Sequence, residues 1–292
     1  MLAWPRVLLP ADLDLDQRSI DRAVRGGHDA GGLGAAFVAG YGAALQALVP
    51  GAPRRTSLCA TEQGGAHPRA IATTLSTTGA DGAPLEGDLR LVGHKRWSTL
   101  ATEAELLLVV ASTGVDGSGK NRLKLVRVSP RAAGVTITPM PPPPFAPDVG
   151  HAEIQLDTRV AVTAVLPGDG YSDYLKPFRT VEDLHVHGAL LGWMLGLAAR
   201  HAWPREQVER LLAAVASIRS LAAAPPLAPA THLALAGAIA VTRELVERAP
   251  WTTLDPDALA RWQRDRPLLE VAGKARDARR DAAWQASGSA PA

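Results

Sequence analysis

The spacing of apolar and polar residues divides the sequence into three stretches of different character. Residues 13–48 are rich in alanine and glycine, and their second half has helical spacing of apolar positions. Residues 56–166 contain short, partly alternating segments rich in Val, Thr and Leu, separated by turn residues, which is typical of β-strands. From residue 180 onward the apolar period is helical again. The pattern therefore predicts an α+β fold.

The middle stretch predicts an antiparallel β-barrel or sandwich, because short strands recur at close spacing. The candidate strands are 57–62, 70–78, 106–112, 123–128 and 135–138. The glycine-rich segment 114–120 resembles a phosphate-binding loop superficially, but Asn121 stands where that motif requires Ser or Thr. Since the segment also links two candidate strands, we interpret it as a hairpin turn.

The last stretch predicts a C-terminal four-helix bundle with short connections. The candidate helices are 180–202, 208–218, 231–248 and 255–284. Pro267 is expected to kink or split the last one, because proline cannot donate the helical hydrogen bond. The basic segment 274–280 is interpreted as a solvated helix face. We thus expect a short helical N-terminal segment at 1–55, a β-domain at 56–170 and a helical bundle at 171–292.

Composition and charge exclude several classes of protein. The 292 residues are 47% hydrophobic and 21% charged, which excludes a largely disordered chain. The net charge of +2 provides no sequence-wide basic field for nucleic acid. No apolar run reaches the ~20 residues that cross a bilayer, and the beginning lacks the features of a secretory signal. We therefore expect a cytoplasmic protein without a membrane span or a nucleic-acid partner.

The sequence predicts neither a disulfide framework nor a metal site. Cys59 is the only cysteine, so an internal disulfide or a thiolate cluster cannot form. His185 and His187 are two positions apart on a candidate helix, so their side chains point to different faces and cannot hold one metal jointly. We assign both histidines to packing or to the surface.

Three segments in order along the chain resemble the acyl-CoA dehydrogenase family, whose members have an α–β–α plan. The first segment is 58–67, where the family reads Thr-Glu-Pro followed by Gly-x-Gly-Ser-Asp. The second is 82–113, where the family reads Leu-x-Gly-x-Lys-x-Trp-Ile-Thr. The third, 152–168, is similar to the strand pair that ends the family's β-domain and leads into its first bundle helix. The matching residues in the first two segments are Thr61, Glu62, Gly64, Leu91, Gly93, Lys95, Trp97 and Thr99.

The resemblance implies an FAD-dependent flavoprotein oxidoreductase that acts on the CH–CH bond of an acyl thioester or related substrate. Such a desaturation needs a cofactor, because no side chain accepts a hydride. The resemblance implies that Thr61 and Thr99 hydrogen-bond the flavin ring, that Trp97 packs against it and that Ser98 also lines it. His67 stands where the family's serine meets phosphates or the acyl carrier. The resemblance further implies a homo-oligomer formed through the C-terminal bundle.

Glu182 is the candidate catalytic base, because it occupies the position that some family members use on the first bundle helix. The later loop that supplies the base in most members has no counterpart here. A second interpretation is purely structural: Thr180 would cap a helix that begins here, and an acid in its first turn would be favoured. Placed so, Glu182 would be stabilised in its charged form and would be a weaker base.

Several departures from the family pattern support an alternative function. Gln63 replaces the proline, Ala66, His67 and Pro68 replace Gly-Ser-Asp, and Asp183 stands where the family has arginine. Relative to the family, we also expect a chain abridged at both ends. The alternative is a degenerate, non-catalytic homologue that acts as a binding or assembly partner, or as a subunit that complements a full-length homologue.

Overall fold

The computed structural model describes residues 18–288, which form two compact units that we treat separately. The β unit consists of Val49–Pro143 and Val149–Pro177. The helical unit contains the described parts of Met1–Leu48 and Phe178–Ala292, together with Pro144–Asp148. The content is mixed α+β, as predicted, whereas the three-part division at residues 55 and 170 stays a prediction.

The described residues of the β unit form one seven-stranded sheet. Its strands are β1 (Thr56–Cys59), β2 (Thr74–Ser76), β3 (Asp88–Thr99), β4 (Leu106–Val115), β5 (Asn121–Val128), β6 (Val135–Pro139) and β7 (His151–Ala161). Their order is β1-β4-β2-β3-β7-β6, with β5 paired to β4. The segment 114–120 connects β4 to β5, which pair antiparallel, so the predicted hairpin is confirmed.

The expectation of a purely antiparallel sheet is wrong. β1 pairs with β4 in parallel, with Thr56 opposite Leu106, and β2 also meets β4 in parallel at Ser112. The chain makes β2 and β3 before it returns to β4, so that β4 re-enters the sheet in the same direction as β1. Closure of this sheet into a barrel or sandwich stays a prediction.

The core of the β unit follows from the alternation of its strands. Along β7, every second residue from Ala152 to Val160, including Thr158, is buried, while the side chains between them are partly or fully exposed. By contrast, residues 107–112 of β4 are buried without interruption, so both faces of this part of β4 are covered. The long antiparallel pair of β3 and β7 connects the central strands to β6, which lies at the edge of the sheet.

Seven α-helices lie within the described residues. They are α1 (Ser19–His28), α2 (Leu33–Leu48), α3 (Lys176–Arg200), α4 (Arg205–Leu221), α5 (Pro229–Glu247), α6 (Pro256–Asp265) and α7 (Gly273–Ala286). A 3₁₀ turn that contains Pro267 separates α6 from α7, which confirms the predicted split. The C-terminal part is therefore helical as predicted, while the four-helix bundle stays a prediction. No helix among residues 18–288 has both the length and the apolar character to cross a bilayer.

The helix α3 begins earlier than the sequence indicates. A π-helical turn, Gly170–Leu175, leads directly into α3, and the carboxylate of Asp169 accepts hydrogen bonds from the N–H groups of Tyr171 and Ser172. Asp169 therefore caps this helical segment, and Thr180 lies inside it, fully buried. The interpretation of Thr180 as a helix cap is wrong, because Asp169 satisfies the free amides at the true start of the segment.

Glycines allow α1 and α3 to approach closely within the helical unit. A Cβ atom at Gly192 would collide with the carbonyl oxygen of Val24, and one at Gly27 would collide with that of Ala189. Around this contact, one apolar core includes Ile20 and other buried residues of α1 to α6.

We expect Gly192→Ala to lower the free energy of unfolding by about 1–3 kcal/mol, because the added methyl group overpacks the contact between α1 and α3. Gly237→Ala is the matched control, since Gly237 also lies inside a helix but has no atom within 4 Å of the place that the added methyl group would take. This control should raise stability by roughly 0.5–1 kcal/mol, because alanine favours a helix interior. Urea unfolding measures both, and equal effects would contradict the close approach.

Candidate functional site

An irregularity in β3 creates an exposed tryptophan. The pairing of β3 with β7 shifts between Lys95 and Ser98, and Trp97 has a φ of +55° at this bulge. Large residues rarely adopt a left-handed backbone, and such strain is concentrated at functional sites. The side chain of Trp97 is 52% exposed. About half of this indole is therefore left uncovered by packing within the sheet.

A buried ion pair lies directly beneath the bulge. Lys95 is fully buried, and its Nζ donates to Oε1 of Glu62 at 2.6 Å. The Glu62 carboxylate also accepts from the backbone N–H groups of Ala72 and Thr73 and from the Thr73 hydroxyl, at 2.8, 3.1 and 2.7 Å. The pair thus joins the segment after β1 to the middle of β3.

The pKa values of this pair reflect competition between burial and pairing. Burial lowers the pKa of Lys95, and the Glu62 carboxylate opposes this effect. Burial would raise the pKa of Glu62, but the ammonium of Lys95 and the hydrogen bonds that the carboxylate accepts bring that pKa below its ordinary value. The Glu62 carboxylate is therefore ionised at neutral pH inside the β unit, and each member of the pair stabilises the charged form of the other.

Two threonines flank the exposed indole. The N–H of Arg96 donates to the carbonyl oxygen of Thr61 at 2.8 Å, which places Thr61 beside the bulge. Thr99 lies two residues after Trp97 and pairs with His151, whose ring meets the Trp97 indole edge to face at 5.9 Å. The hydroxyls of Thr61 and Thr99 have no hydrogen-bond partner within residues 18–288. We call Thr61, Trp97, Thr99 and His151 the Trp97 patch.

The other two predicted binding residues are placed differently. Ser98 is buried, and its hydroxyl is enclosed without a partner at normal hydrogen-bond distance in the described part of the chain. Only the backbone of Ser98 is therefore positioned to meet a ligand on the exposed side. His67 is exposed, and its Nδ1 accepts from the N–H of Arg69 at 3.2 Å. Since Nδ1 accepts, the neutral ring carries its proton on Nε2 and can donate from there.

Glu182 lies on α3 in the helical unit as an unpaired acid. It is half-buried, and within the described residues its carboxylate makes no hydrogen bond or ion pair. Burial, reinforced by the adjacent Asp183 carboxylate, raises the pKa of Glu182 to about 7. The interpretation that a helix start would weaken Glu182 as a base is wrong, because α3 begins about one and a half turns earlier.

Its neighbour Asp183 is firmly paired. Nε of Arg276 donates to Asp183 at 2.9 Å, and Arg279 contacts the other oxygen of the same carboxylate. All three side chains are largely buried. The interpretation of residues 274–280 as a solvated face is therefore wrong for these two arginines, whose spacing of three residues places them on one face of α7. Sequence reasoning missed this cluster, although that spacing was its signal.

The histidines of α3 are packing residues. Burial lowers the pKa of both His185 and His187 to about 4, so both rings are neutral at pH 7. The Nε2 atom of His185 lies 2.8 Å from the Ser19 hydroxyl, which ties α3 to α1. Across the described chain, no group of three or more His, Cys, Asp or Glu side chains is arranged to hold a metal ion.

Comparison with known proteins supports the assignment made from the motifs. Residues 57–158 match the family model described as acyl-CoA dehydrogenase, middle domain. These residues contain the Glu62–Lys95 pair and the whole Trp97 patch, and the resemblance predicted from the motifs is confirmed. No curated protein sequence matches the chain.

Solved structures share the fold at low sequence identity. FMN-bound TdsC from Paenibacillus sp. A11-2 aligns with a TM-score of 0.68 and 16% identity, over 94% of this chain and 84% of TdsC. An FAD-dependent dehydrogenase aligns with a TM-score of 0.66 and 14% identity, over 92% and 84% of the two chains. FkbI, for biosynthesis of the methoxymalonyl extender unit of the polyketide Fk520, aligns with a TM-score of 0.60 and 18% identity, over 95% and 86%.

Proposed function

We propose that this chain, a member of the acyl-CoA dehydrogenase family by its middle domain, is a flavoprotein oxidoreductase that acts on the CH–CH bond of an acyl thioester or related substrate. The observation that carries the proposal is the Trp97 patch. A strained, exposed indole stands between two hydroxyls that have no partner in the described chain. Apart from its contact with His151, the indole is open to its surroundings, and the arrangement suits a planar ligand with polar edges.

The chemistry of the Trp97 patch fits a flavin ring. The hydroxyls of Thr61 and Thr99 can donate to, or accept from, the ring's heteroatoms, and the indole of Trp97 offers a stacking surface. The backbone of Ser98 would line the same ring, and Nε2 of His67 would donate to a phosphate. When bound, the flavin supplies the hydride acceptor that side chains lack. The similar proteins include one bound to FMN and one that is FAD-dependent, and we propose FAD for this chain.

Glu182 is the proposed base. Removal of a proton next to a thioester carbonyl requires a carboxylate that is ionised at working pH yet basic enough to take the proton. A pKa of about 7 meets both needs. The absence of a hydrogen-bond partner among residues 18–288 leaves its oxygens available. The family resemblance further supports a homo-oligomer formed through the C-terminal helices.

We expect Glu182→Gln to reduce turnover of the best acyl-CoA substrate at least ~100-fold, because a general base contributes that much or more. In the wild type, activity should rise with pH through about 7, since the base must lose its proton to act. Reduction of an artificial dye acceptor measures the rate across a panel of acyl-CoA thioesters. Glu247→Gln, an exposed acid on α5, is the matched control.

Two outcomes would redirect the proposal. An unchanged rate in Glu182→Gln would remove Glu182 as the base while leaving the flavin site standing. Tight binding of acyl-CoA without any flavin reduction would instead favour the non-catalytic binding partner.

A further inference from the structure

We propose that Arg276 and Arg279 are positioning residues for Glu182: they hold the carboxylate of its neighbour Asp183 and thereby govern proton exchange at Glu182. The inference rests on the proposed role of Glu182 as the base. We call Asp183, Arg276 and Arg279 the arginine clamp. The proposal gives a function to α7, the helix that carries Arg276 and Arg279. The charge pattern alone predicts that the basic residues of this helix are solvated.

The geometry of the arginine clamp is specific. Each oxygen of the Asp183 carboxylate is held by a different guanidinium, with Oδ1 bound to Arg276 and Oδ2 to Arg279. The side chain of Asp183 is only 6% exposed, whereas those of Arg276 and Arg279 are 14% and 18% exposed. A buried carboxylate without a partner would be strongly unfavourable, so the two arginines stabilise the Asp183 carboxylate at this position.

The clamp is anchored at its other end. Nη1 of Arg276 donates to the carbonyl oxygen of Leu269, in the 3₁₀ turn that precedes α7. This guanidinium therefore has its orientation fixed from two sides, and a fixed fork geometry distinguishes arginine from lysine in such pairs. Glu182 itself lies outside this network, so the acid next to the clamp is left with an unpaired carboxylate in the described chain.

The charges around Glu182 act in opposite directions. The Asp183 carboxylate raises the pKa of Glu182, while Arg276, Arg279 and Arg179 lower it. His187, which interacts with Asp183 and Arg276, is neutral above pH 5 because burial lowers its pKa to about 4. The aspartate and the arginines of the clamp thus act on the pKa of Glu182 with opposite signs, and each offsets part of the effect of the other. Loss of an arginine and loss of the aspartate must therefore shift the titration of Glu182 in opposite directions.

The test is a direct titration of the carboxylate by NMR of protein labelled with ¹³C at glutamate side chains. The Glu182 signal is assigned by its loss in Glu182→Gln. We expect Arg279→Gln to raise the midpoint of this signal by about one pH unit, and Asp183→Asn to lower it by a similar amount, from the strength of a charge interaction at this range. Arg280→Gln, whose partners Asp277 and Asp281 are exposed, should leave it unchanged.

A charge-conserving variant separates electrostatics from packing. Arg279→Lys should return the midpoint most of the way to its wild-type value, which a merely structural role would not require. Shifts of the same sign in Arg279→Gln and Asp183→Asn, or no shift in either, would overturn the proposal. The titration needs neither substrate nor cofactor. Opposite shifts together with unchanged turnover in Glu182→Gln would therefore sink the assigned base and leave the clamp's control of Glu182 intact.

Discussion

Replacing Lys95 with methionine is expected to lower the free energy of unfolding by about 3–5 kcal/mol. The reason is that Glu62, only 8% exposed, would keep a buried charge without its partner. Methionine preserves most of the volume of the lysine, so a cavity contributes little. Urea unfolding of the whole chain, with the loss of β-sheet structure as the signal, measures the change in the free energy of unfolding.

Two control variants sharpen this prediction. In the double variant Lys95→Met/Glu62→Gln, the buried charge is absent, and the amide oxygen can still accept from Ala72 and Thr73. Much of the lost stability should therefore return. Arg55→Met breaks the pair with Glu105, in which both side chains are more than half exposed, and should cost at most about 1 kcal/mol. A loss of similar size in Lys95→Met and Arg55→Met would contradict the role of the buried pair.

Replacing Trp97 with alanine is expected to weaken flavin binding by about tenfold or more, which corresponds to the loss of one aromatic stacking contact. The change should cost little stability, because the indole is half exposed and its backbone is already strained. Separate equilibrium titrations of the unliganded protein with FAD and FMN, followed by flavin fluorescence, measure the affinity. Trp97→Phe should retain most of it, since a smaller aromatic face remains.

The matched control is Trp284→Ala on α7, where the indole is also exposed, at 38%. It removes the same side chain from a surface that has no place in the proposed site. Flavin affinity should therefore equal that of the wild type. If Trp97→Ala also binds flavin like the wild type, the indole is not part of the cofactor site, and the strain at φ +55° needs another explanation.

Motif matches were enough to identify Thr61, Trp97 and Thr99 of the candidate site, because motif spacing is a local property of the chain. The alternation of apolar residues did not predict the strand Asp88–Thr99 that carries Trp97 and Thr99. The split at Pro267 was predictable, since proline acts on its own turn.

Contacts between distant segments could not be read from such patterns. The parallel pairing of Thr56 with Leu106 depends on the path of the chain between them, which apolar spacing does not encode. The burial of Arg276 and Arg279 on Asp183 is similar, because a basic run followed by acids is usually solvated. Glu62 and Lys95 were recognised as motif matches, but only the folded chain brings the two charges together. The pKa of Glu182 depends on such long-range burial as well.

Binding of a flavin is the property on which the proposed function depends, and a single absorption spectrum of the purified protein decides it. We predict a yellow protein with the two visible bands of a bound flavin, released into solution on denaturation, or a protein that acquires those bands when FAD is added. A colourless protein that takes up neither FAD nor FMN would contradict the proposed function.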